Sequence, residues 1–207
     1  MSAHSAQLRE HFGEIDIYLF DQLLKGRFDA YRTVLDAGCG AGRNLVWFLR
    51  ERFEVFAVDR DERSVLTVRQ LFADLAPHLP PERVQRAEVE SLPYADAAMD
   101  AVLSSAVLHF ARDLAHFDEM VNEMWRVLRP GGLFFARLAT TIGIEDRVQP
   151  LAGGRYRLPD GTTRFLMDEA RLLERTDALG ATLADPLRTT NVQNLRAMTT
   201  WCLLRPA

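Results

Sequence analysis

The chain has 207 residues, 48% hydrophobic and 26% charged, an ordinary composition for a single globular domain. Its formal net charge of -4 argues against general binding to nucleic acid, which more often requires a basic surface. The only two cysteines, Cys39 and Cys202, are far apart in sequence and indicate unpaired thiols in a reducing compartment. No apolar run approaches the roughly 20 residues needed to cross a bilayer, and the N-terminus has no signal-like pattern. We therefore expect a cytoplasmic protein with no membrane partner.

The apolar spacing predicts strands and helices that alternate along the chain. Residues 8–23 have helical spacing, with Gly13 as a weak point. The predicted strands are 33–37, 54–58, 84–87 (weak), 100–104, 133–138, 183–190 (weak) and 199–204. The predicted helices between them are centred on 45–49, 65–75, 114–128 and 168–179, the last capped by Asp168 and ended by Gly180. Residues 140–164 are rich in Gly, Arg and Pro and predict a long insert.

This alternation predicts an α/β fold of the Rossmann-like, doubly wound type. We expect a mostly parallel, seven-stranded sheet with helices on both faces. The last two strands have no helical pattern between them and predict an antiparallel hairpin at the sheet edge. The chain is read as one domain with four parts: an N-terminal helical cap (1–32), a ligand-binding core (33–139), an insert acting as a lid (140–167) and a C-terminal helix with the edge hairpin (168–207). In such sheets ligands bind at the carboxyl ends of the strands, where strand order reverses.

A glycine-rich turn follows the first predicted strand. The segment Val34-Leu-Asp-Ala-Gly-Cys-Gly-Ala-Gly-Arg-Asn44 places glycines where the backbone turns tightly and approaches a ligand. Asp59 ends the next strand, 23 residues after Asp36, and a carboxylate at that spacing can accept hydrogen bonds from ribose hydroxyls. Together, the turn, the spacing and the acid predict a ligand that contains a nucleoside.

The details of the turn favour one nucleoside over another. A dinucleotide site has a third glycine where Arg43 stands, and Asp36 disfavours an anionic pyrophosphate beside the turn. A carboxylate there instead favours a ligand with an ammonium and a sulfonium and no phosphate, such as S-adenosylmethionine (SAM). A nicotinamide-dependent dehydrogenase is therefore the weaker of the two enzyme hypotheses.

From Val34 to about Leu138 the chain resembles the class I SAM-dependent methyltransferases, and among them the type 11 and type 25 groups. Five motifs in the family's order carry the resemblance, although the adenine-edge motif usually has Asp where Glu88 stands. They are Asp36-Ala-Gly-Cys-Gly-Ala-Gly42, Val58-Asp59, Ala87-Glu-Val-Glu-Ser-Leu-Pro93, Asp100-Ala-Val-Leu-Ser-Ser-Ala-Val-Leu-His-Phe110 and Leu128-Arg-Pro-Gly-Gly-Leu133. The ending Gly42-Arg43-Asn44 is also similar to the tellurite-resistance methyltransferases.

The resemblance implies a role for each matching residue. Backbone groups of Gly38, Cys39 and Gly40, with Asp36 beside them, would line the methionine part of SAM. Asp59 would hold the ribose hydroxyls, with Arg60 next to it. Glu88 would accept from the adenine amino group and the Val89 amide would meet a ring nitrogen, while Ser104 would lie near the methionine tail. The cofactor product would be S-adenosylhomocysteine.

Residues for the methyl acceptor are less marked. His109 follows the fourth strand, where it can face the methyl group as a base; the alternative is a histidine packed against the sheet. Tyr18, Arg137 and Tyr156 are candidates for acceptor binding. Arg137, Arg147, Arg155 and Arg164 surround the insert and can bind an anionic acceptor, but Lys25 is the only lysine, so surface arginines are the favoured interpretation. His116 is read as part of a solvated helix face, and Cys39 as a packing residue.

Missing motifs narrow the acceptor. No Asn/Asp-Pro-Pro-aromatic segment and no Pro-Cys dipeptide occur, which disfavours methylation of nucleic-acid bases. No Cys/His cluster has metal-ligand spacing, so no metal is expected. The sequence predicts methyl transfer to a small-molecule nucleophile by a monomer or homodimer. The alternative from another class is a SAM-binding regulatory or partner protein without turnover.

Overall fold

The computed structural model describes residues 3–207. The α-helices are α1 (Ala3–Phe12), α2 (Ile17–Leu24), α3 (Val46–Arg50), α4 (Glu62–Leu75), α5 (Leu114–Val127) and α6 (Glu169–Ala178). The strands are β1 (Thr33–Ala37), β2 (Glu54–Asp59), β3 (Val84–Arg86), β4 (Met99–Ser105), β5 (Leu128–Thr140), β6 (Gln149–Pro150), β7 (Arg155–Arg157), β8 (Thr163–Phe165), β9 (Thr182–Leu183), β10 (Arg188–Val192) and β11 (Arg196–Leu204). Short 3₁₀ turns occupy Pro81–Arg83, Leu108–Phe110 and Ala152–Gly154.

The main sheet has the strand order β10-β11-β5-β4-β1-β2-β3, and β9 adds an eighth strand beside β11. The strands β1 to β5 pair in parallel. From β1 the chain first builds outward through β2 and β3, then returns to place β4 on the other side of β1. The reversal opens a crevice at the carboxyl ends of β1 and β4, where ligands of doubly wound sheets bind.

The edge hairpin is antiparallel, as predicted. β10 pairs with β11 from Arg188↔Thr200 to Val192↔Arg196, and β11 pairs antiparallel with β5 along eight residues. The predicted Rossmann-like sheet with helices and an antiparallel edge is therefore confirmed. The Arg129-Pro-Gly-Gly132 stretch of the last motif lies within β5, whose pairing with β4 shifts register between Met99 and Ala101.

Helices cover both faces of the sheet. On one face α2, α3 and α4 contribute Leu19, Phe48 and Val68 to a buried cluster. On the other, α5 and α6 contribute Phe117 and Leu172 to a second cluster that includes Trp201 of β11. The parallel strands are buried on both sides and their sequences are accordingly continuous apolar runs.

The predicted first helix is in fact two helices. Gly13, at a φ of 66°, follows the end of α1, and Asp16 caps the second helix by accepting from the backbone N–H of Tyr18 at 3.0 Å. The stripe of apolar residues continues across the break, which explains the single helix inferred from spacing. The first two residues of the predicted cap lie outside the described part of the chain.

The predicted insert is a small sheet of its own. Strands β6, β7 and β8 form a three-stranded antiparallel sheet. It packs on a minor apolar cluster that includes Ile144, Leu158, Leu166 and Ala197. Composition predicts only a long insert here, because its strands are two or three residues long and too short to give a period.

Candidate active site

A cavity of about 380 Å³ opens at the carboxyl ends of β1, β2 and β4. This volume lies within the range of small-molecule sites. Its lining residues come from the glycine turn, the end of β2, the segment after β3, the end of β4 with the segment that follows it, and α5. They are Gly38, Cys39, Gly40, Ala41, Arg43, Asn44, Asp59, Arg60, Ala87, Glu88, Val89, Glu90, Ser105, Ala106, Val107, Phe110, His116 and Met120.

The glycine turn is held against β2 by its backbone. The N–H groups of Gly38 and Cys39 both donate to the carbonyl of Val58, at 2.9 Å each. Gly38 has a φ of 86°, and a Cβ there would lie 2.4 Å from Cγ2 of Val107. Gly40, at a φ of 51°, has no atom within 4 Å of the place a Cβ would take. Packing against Val107 therefore requires a glycine at position 38, whereas the space beside Gly40 is open.

Two backbone hydrogen bonds hold the Asp59 carboxylate. Its Oδ2 accepts from the N–H of Gly40 at 2.8 Å, and its Oδ1 accepts from the N–H of Asp61 at 2.9 Å. Each carboxylate oxygen has a further lone pair. The carboxylate therefore joins the glycine turn to the end of β2 and still has acceptor capacity toward the cavity.

Asp36 lies beneath the glycine turn rather than on the cavity wall, and only 2% of its surface is exposed. Burial raises the pKa of its carboxyl to about 7; Arg43 opposes this rise and the Asp59 charge adds to it. Burial, assisted by the Asp36 and Asp59 charges, also raises the pKa of the Cys39 thiol above its ordinary value. Cys39 therefore stays a protonated thiol, which agrees with a packing role.

Four residues after β3 form one end of the cavity. Glu88 is exposed on its wall and Val89 is buried. Glu90 accepts from Nε2 of His116 at 2.8 Å, and the Nδ1 of that ring accepts from the N–H of Arg112 at 3.1 Å. Partial burial acts to raise the pKa of Glu90, but a backbone hydrogen bond and His116 lower it by more. The pKa is therefore below its ordinary value, and the carboxylate stays ionised.

The expectation that His116 belongs to a solvated helix face is wrong. His116 is buried and lines the cavity, because its side chain points back toward the N-terminus of α5 and meets the β3 segment. The sequence holds a signal for it: Asp113 caps the helix by accepting from the His116 backbone N–H, which puts this residue in the first turn.

The end of β4 presents Ser105, not Ser104, to the cavity. Ser104 is fully buried, and its Oγ has no hydrogen-bond partner within the described chain. Ser105 Oγ accepts from Nη2 of Arg43 at 3.0 Å. Consecutive residues of a strand face opposite sides, so a one-residue difference moves the side chain away from the cavity wall.

A second cavity, of about 250 Å³, adjoins the first. The two share Ala106, whose φ of 66° is uncommon for a residue with a side chain. Strained backbone of this kind clusters at functional sites. The second cavity is lined by Ala106, His109, Arg137, Ala139, Leu158, Asp160, Thr162, Arg164, Val192, Arg196 and Met198.

His109 lines the second cavity and not the first. Its Nδ1 accepts from the N–H of Ala139 at 3.3 Å, which assigns the ring proton to Nε2. Burial, with the nearby Arg164 and Arg196 charges, lowers the pKa of His109 to about 4. The imidazole is therefore neutral near pH 7 and offers an N–H donor.

Sequence comparisons show which proteins this chain resembles. A family described as a methyltransferase domain matches residues 35–136, which run from β1 to β5. A probable S-adenosylmethionine-dependent methyltransferase from Mycolicibacterium smegmatis is 35% identical over 158 residues, or 76% of this chain and 55% of the relative. The chain belongs to the class I SAM-dependent methyltransferases. The uncharacterised methyltransferase YodH of Bacillus subtilis is 32% identical over 137 residues, 66% of this chain and 50% of the relative. The methyltransferase chain thus spans about half the length of the curated relatives it matches.

The same fold occurs in solved methyltransferase structures. The 1,6-didemethyltoxoflavin-N1-methyltransferase of Burkholderia thailandensis, with bound 1,6-didemethyltoxoflavin and S-adenosylhomocysteine, has a TM-score of 0.68 at 20% identity. The alignment covers 99% of this chain and 87% of that one. At this identity the likeness concerns the fold.

The cofactor of this methyltransferase is S-adenosylmethionine, and the first cavity fits it. The open space at Gly40 admits a ligand against the backbone, and Asp59 is oriented as an acceptor. Burial raises the pKa of the Asp36 carboxyl, and a cationic ligand group beside it would stabilise its ionised form. Of the predicted cofactor residues, Gly38, Cys39, Gly40, Asp59, Arg60, Glu88 and Val89 line this cavity, and Asp36 and Ser104 lie behind it.

The three predicted acceptor residues lie in different places. Arg137 lines the second cavity; its Nη1 pairs with Oδ2 of the buried Asp16 at 2.9 Å, and its guanidinium lies 5.0 Å from the centre of the Tyr18 ring. The Tyr18 hydroxyl hydrogen-bonds to Thr190, so this ring joins α2 to β10. Tyr156 packs against the minor cluster of the small sheet and lines neither cavity.

Two features are absent from the described residues, a membrane-spanning helix and a metal-binding cluster. No helix among residues 3–207 is both long and apolar enough to span a membrane. In the same part of the chain, no group of three or more His, Cys, Asp and Glu side chains is placed to hold a metal ion.

Proposed function

We propose that the protein transfers the methyl group of SAM to a small-molecule nucleophile. The observation that carries the proposal is the pair of adjoining cavities, one fitted to the cofactor and one open to an acceptor, which meet at Ala106. When bound, the cofactor supplies a methyl group already activated by its sulfonium. The main task of the protein is then to hold two ligands in line, which contributes about 7–11 kcal/mol when well executed.

The first cavity would hold the cofactor along its whole length. Asp59 would accept from the ribose hydroxyls, using lone pairs that its bonds to Gly40 and Asp61 leave available. Glu88 and the Val89 amide would meet the adenine edge, at the end where Glu90 and His116 lie. The Asp36 charge would favour the cationic end of the ligand beside the glycine turn.

For His109 we propose a positioning role. The hydrogen bond from Ala139 occupies Nδ1, so Nε2 carries the proton, and the ring lines the second cavity. A histidine with a pKa of about 4 is a weak base. It is suited to orienting an acceptor by a hydrogen bond, and His109→Ala should therefore reduce turnover while leaving cofactor affinity within about twofold.

The remaining predictions stay part of this proposal. The N-terminal helices and the small sheet of residues 140–167 would cover the acceptor. The contact between Tyr18 and Arg137 joins the N-terminal helices to the main sheet, and Leu158 and Arg164 of the 140–167 segment line the second cavity. We expect the protein to act in the cytoplasm as a monomer or homodimer, on a small molecule and not on nucleic acid.

Calorimetric titration of the purified chain with SAM, S-adenosylhomocysteine and NAD tests the proposal. We expect micromolar affinity for the first two ligands and none for NAD. Incubation with SAM and a pool of metabolites should then release S-adenosylhomocysteine. Binding without any release would support the regulatory alternative, and binding of NAD alone would overturn the proposal.

A further inference from the structure

The second cavity is unusual in its charges. Three arginines, Arg137, Arg164 and Arg196, line it together with one acid, Asp160. They come from β5, β8 and the start of β11, three elements that are far apart in sequence. Arg164 is half-buried and Arg196 is exposed, so a ligand that enters this concave wall beside the first cavity can reach both guanidinium groups.

The three arginines differ in what already neutralises them. The charge of Arg137 is already neutralised, because its side chain is only 19% exposed and pairs with the buried Asp16. No carboxylate of the described residues lies within ion-pair distance of Arg164 or Arg196. The Asp160 carboxylate accepts instead from the N–H and hydroxyl of Thr162, at 2.9 and 2.6 Å. Two arginine charges thus face one acid, which leaves a single positive charge unbalanced.

The wall also has fixed groups that orient a ligand. The Arg164 guanidinium lies 5.0 Å from the centre of the Phe110 ring, and its Nη1 donates to the Thr163 carbonyl at 2.8 Å. Phe110 itself lines the first cavity, so this contact joins the two sites. The Nε2–H of His109 supplies a neutral donor in the same wall.

We propose that the second cavity is the acceptor subsite and that it binds a carboxylate of the acceptor through Arg164 and Arg196, with His109 as an additional donor. A planar carboxylate matches the paired N–H donors of a guanidinium. A monoanion balances the single excess positive charge, whereas a phosphate dianion would exceed it by one negative charge. This inference rests on the proposed function, since it names the chemical class of the acceptor.

The test follows the imidazole C–H resonances of His109 by NMR while a carboxylate is added. Benzoate and hexanoate are the probes, with benzamide and hexanamide as neutral partners and phenyl phosphate as the dianion. His109→Gln assigns the resonance. We expect at least one carboxylate to give a saturable shift that its amide does not give, and phenyl phosphate to bind more weakly than benzoate.

Variants locate the site. Arg164→Gln combined with Arg196→Gln should weaken carboxylate binding at least tenfold. Arg147→Gln removes one positive charge from the same insert, where Arg147 is exposed and pairs with Asp146 at 3.4 Å, and should change the affinity less than twofold. Calorimetry with S-adenosylhomocysteine on the same proteins should give equal affinities for all of them.

Each result bears on one proposal or the other. No saturable shift with either carboxylate, equal shifts with the amides, tighter binding of phenyl phosphate, or equal loss in Arg147→Gln would each overturn the carboxylate subsite. Failure of the wild-type chain to bind S-adenosylhomocysteine would instead overturn the proposed function, and the carboxylate result would still stand by itself.

Discussion

The two cavities are built from different materials. The first is lined mainly by short continuous stretches, the glycine turn and the segments after β2, β3 and β4, together with His116 and Met120 of α5. The second is made by single side chains, among them Arg137, Arg164 and Arg196, that the fold brings together from separate elements. A site made of continuous stretches leaves motifs in a sequence, whereas a site made of scattered side chains leaves none.

The difference extends to rigidity and charge. The first cavity depends on backbone hydrogen bonds and on carboxylates at its floor and rim, Asp36, Asp59 and Glu88. The second depends on guanidinium groups held by stacking and by ion pairs, such as Arg137 with Asp16. This contrast agrees with the proposed roles, in which the first cavity holds a cofactor that the family shares and the second holds an acceptor particular to this protein. Single side chains are replaced more easily than the course of the backbone.

Substituting the glycines of the turn is expected to give the largest effect and separates packing from ligand space. In Gly38→Ala the new methyl group would clash with Val107, and the alanine would also have to adopt a left-handed backbone conformation. We therefore expect a loss of about 3 kcal/mol in unfolding free energy. Gly40→Ala has the same backbone strain without a clash and should lose about 1 kcal/mol. It should nevertheless weaken S-adenosylhomocysteine binding at least tenfold. Urea unfolding and calorimetry measure both, and equal stabilities would contradict the packing argument.

Asp59→Ala should weaken S-adenosylhomocysteine binding about 100-fold, or roughly 2.7 kcal/mol, because two charge-assisted hydrogen bonds are lost. The second cavity should keep its carboxylate affinity, which makes NMR titration with benzoate the control. Since Asp59 also holds the N–H groups of Gly40 and Asp61, a circular-dichroism melt must show that the fold persists. Unchanged cofactor affinity would contradict the ribose assignment.

Asp36 provides a pH-dependent test of the first cavity. Because its folded pKa is about 7 and an unfolded Asp titrates near 4, the folded state holds the extra proton between these values. The stability of the wild type should therefore fall as pH rises through this window. Asp36→Asn has no carboxyl that titrates, so its unfolding free energy relative to wild type should rise by about 2.6 kcal/mol from pH 5 to pH 8. A pH-independent difference measured by urea unfolding would place the carboxyl in a more hydrated setting.

The smallest effect concerns the charges of the second cavity. Arg164→Gln removes one of the two charges that, after burial, hold the pKa of His109 down. The pKa should rise by less than one unit, since burial remains the larger cause. Arg147→Gln is the matched control and should leave it unchanged. NMR titration of the histidine resonances measures the His109 pKa in both variants. An identical pKa in the two variants would show that the Arg164 charge does not lower the pKa of His109.

Much of the fold and of the first cavity was predictable from sequence. The strands β1, β2 and β4 are short apolar runs ended by a glycine turn, an acid or serines, and their order follows from the alternation with helices. The small sheet of residues 140–167 was not predictable, because strands of two or three residues carry no period. The break after α1 was marked only by Gly13, since the apolar spacing continues across it.

The site residues divide in the same way. Asp59 and the glycines of the turn were found by spacing, and the structure adds that Asp59 also bonds the turn itself. His116 was missed because spacing places it on a helix without saying what the first turn of that helix meets. Ser105 was missed by one residue, which in a strand reverses the direction of the side chain.

The sequence by itself determined the family, the cofactor and the doubly wound sheet, because those depend on local backbone geometry that particular residue types require. The tertiary structure decided that His109 lies in the second cavity, that Arg137 is neutralised by Asp16 and that Arg164 and Arg196 are not. The partners of a charged side chain are set by contacts between elements distant along the chain. Those contacts exist only after the strands have packed, so the chemistry of the second cavity becomes readable only in three dimensions.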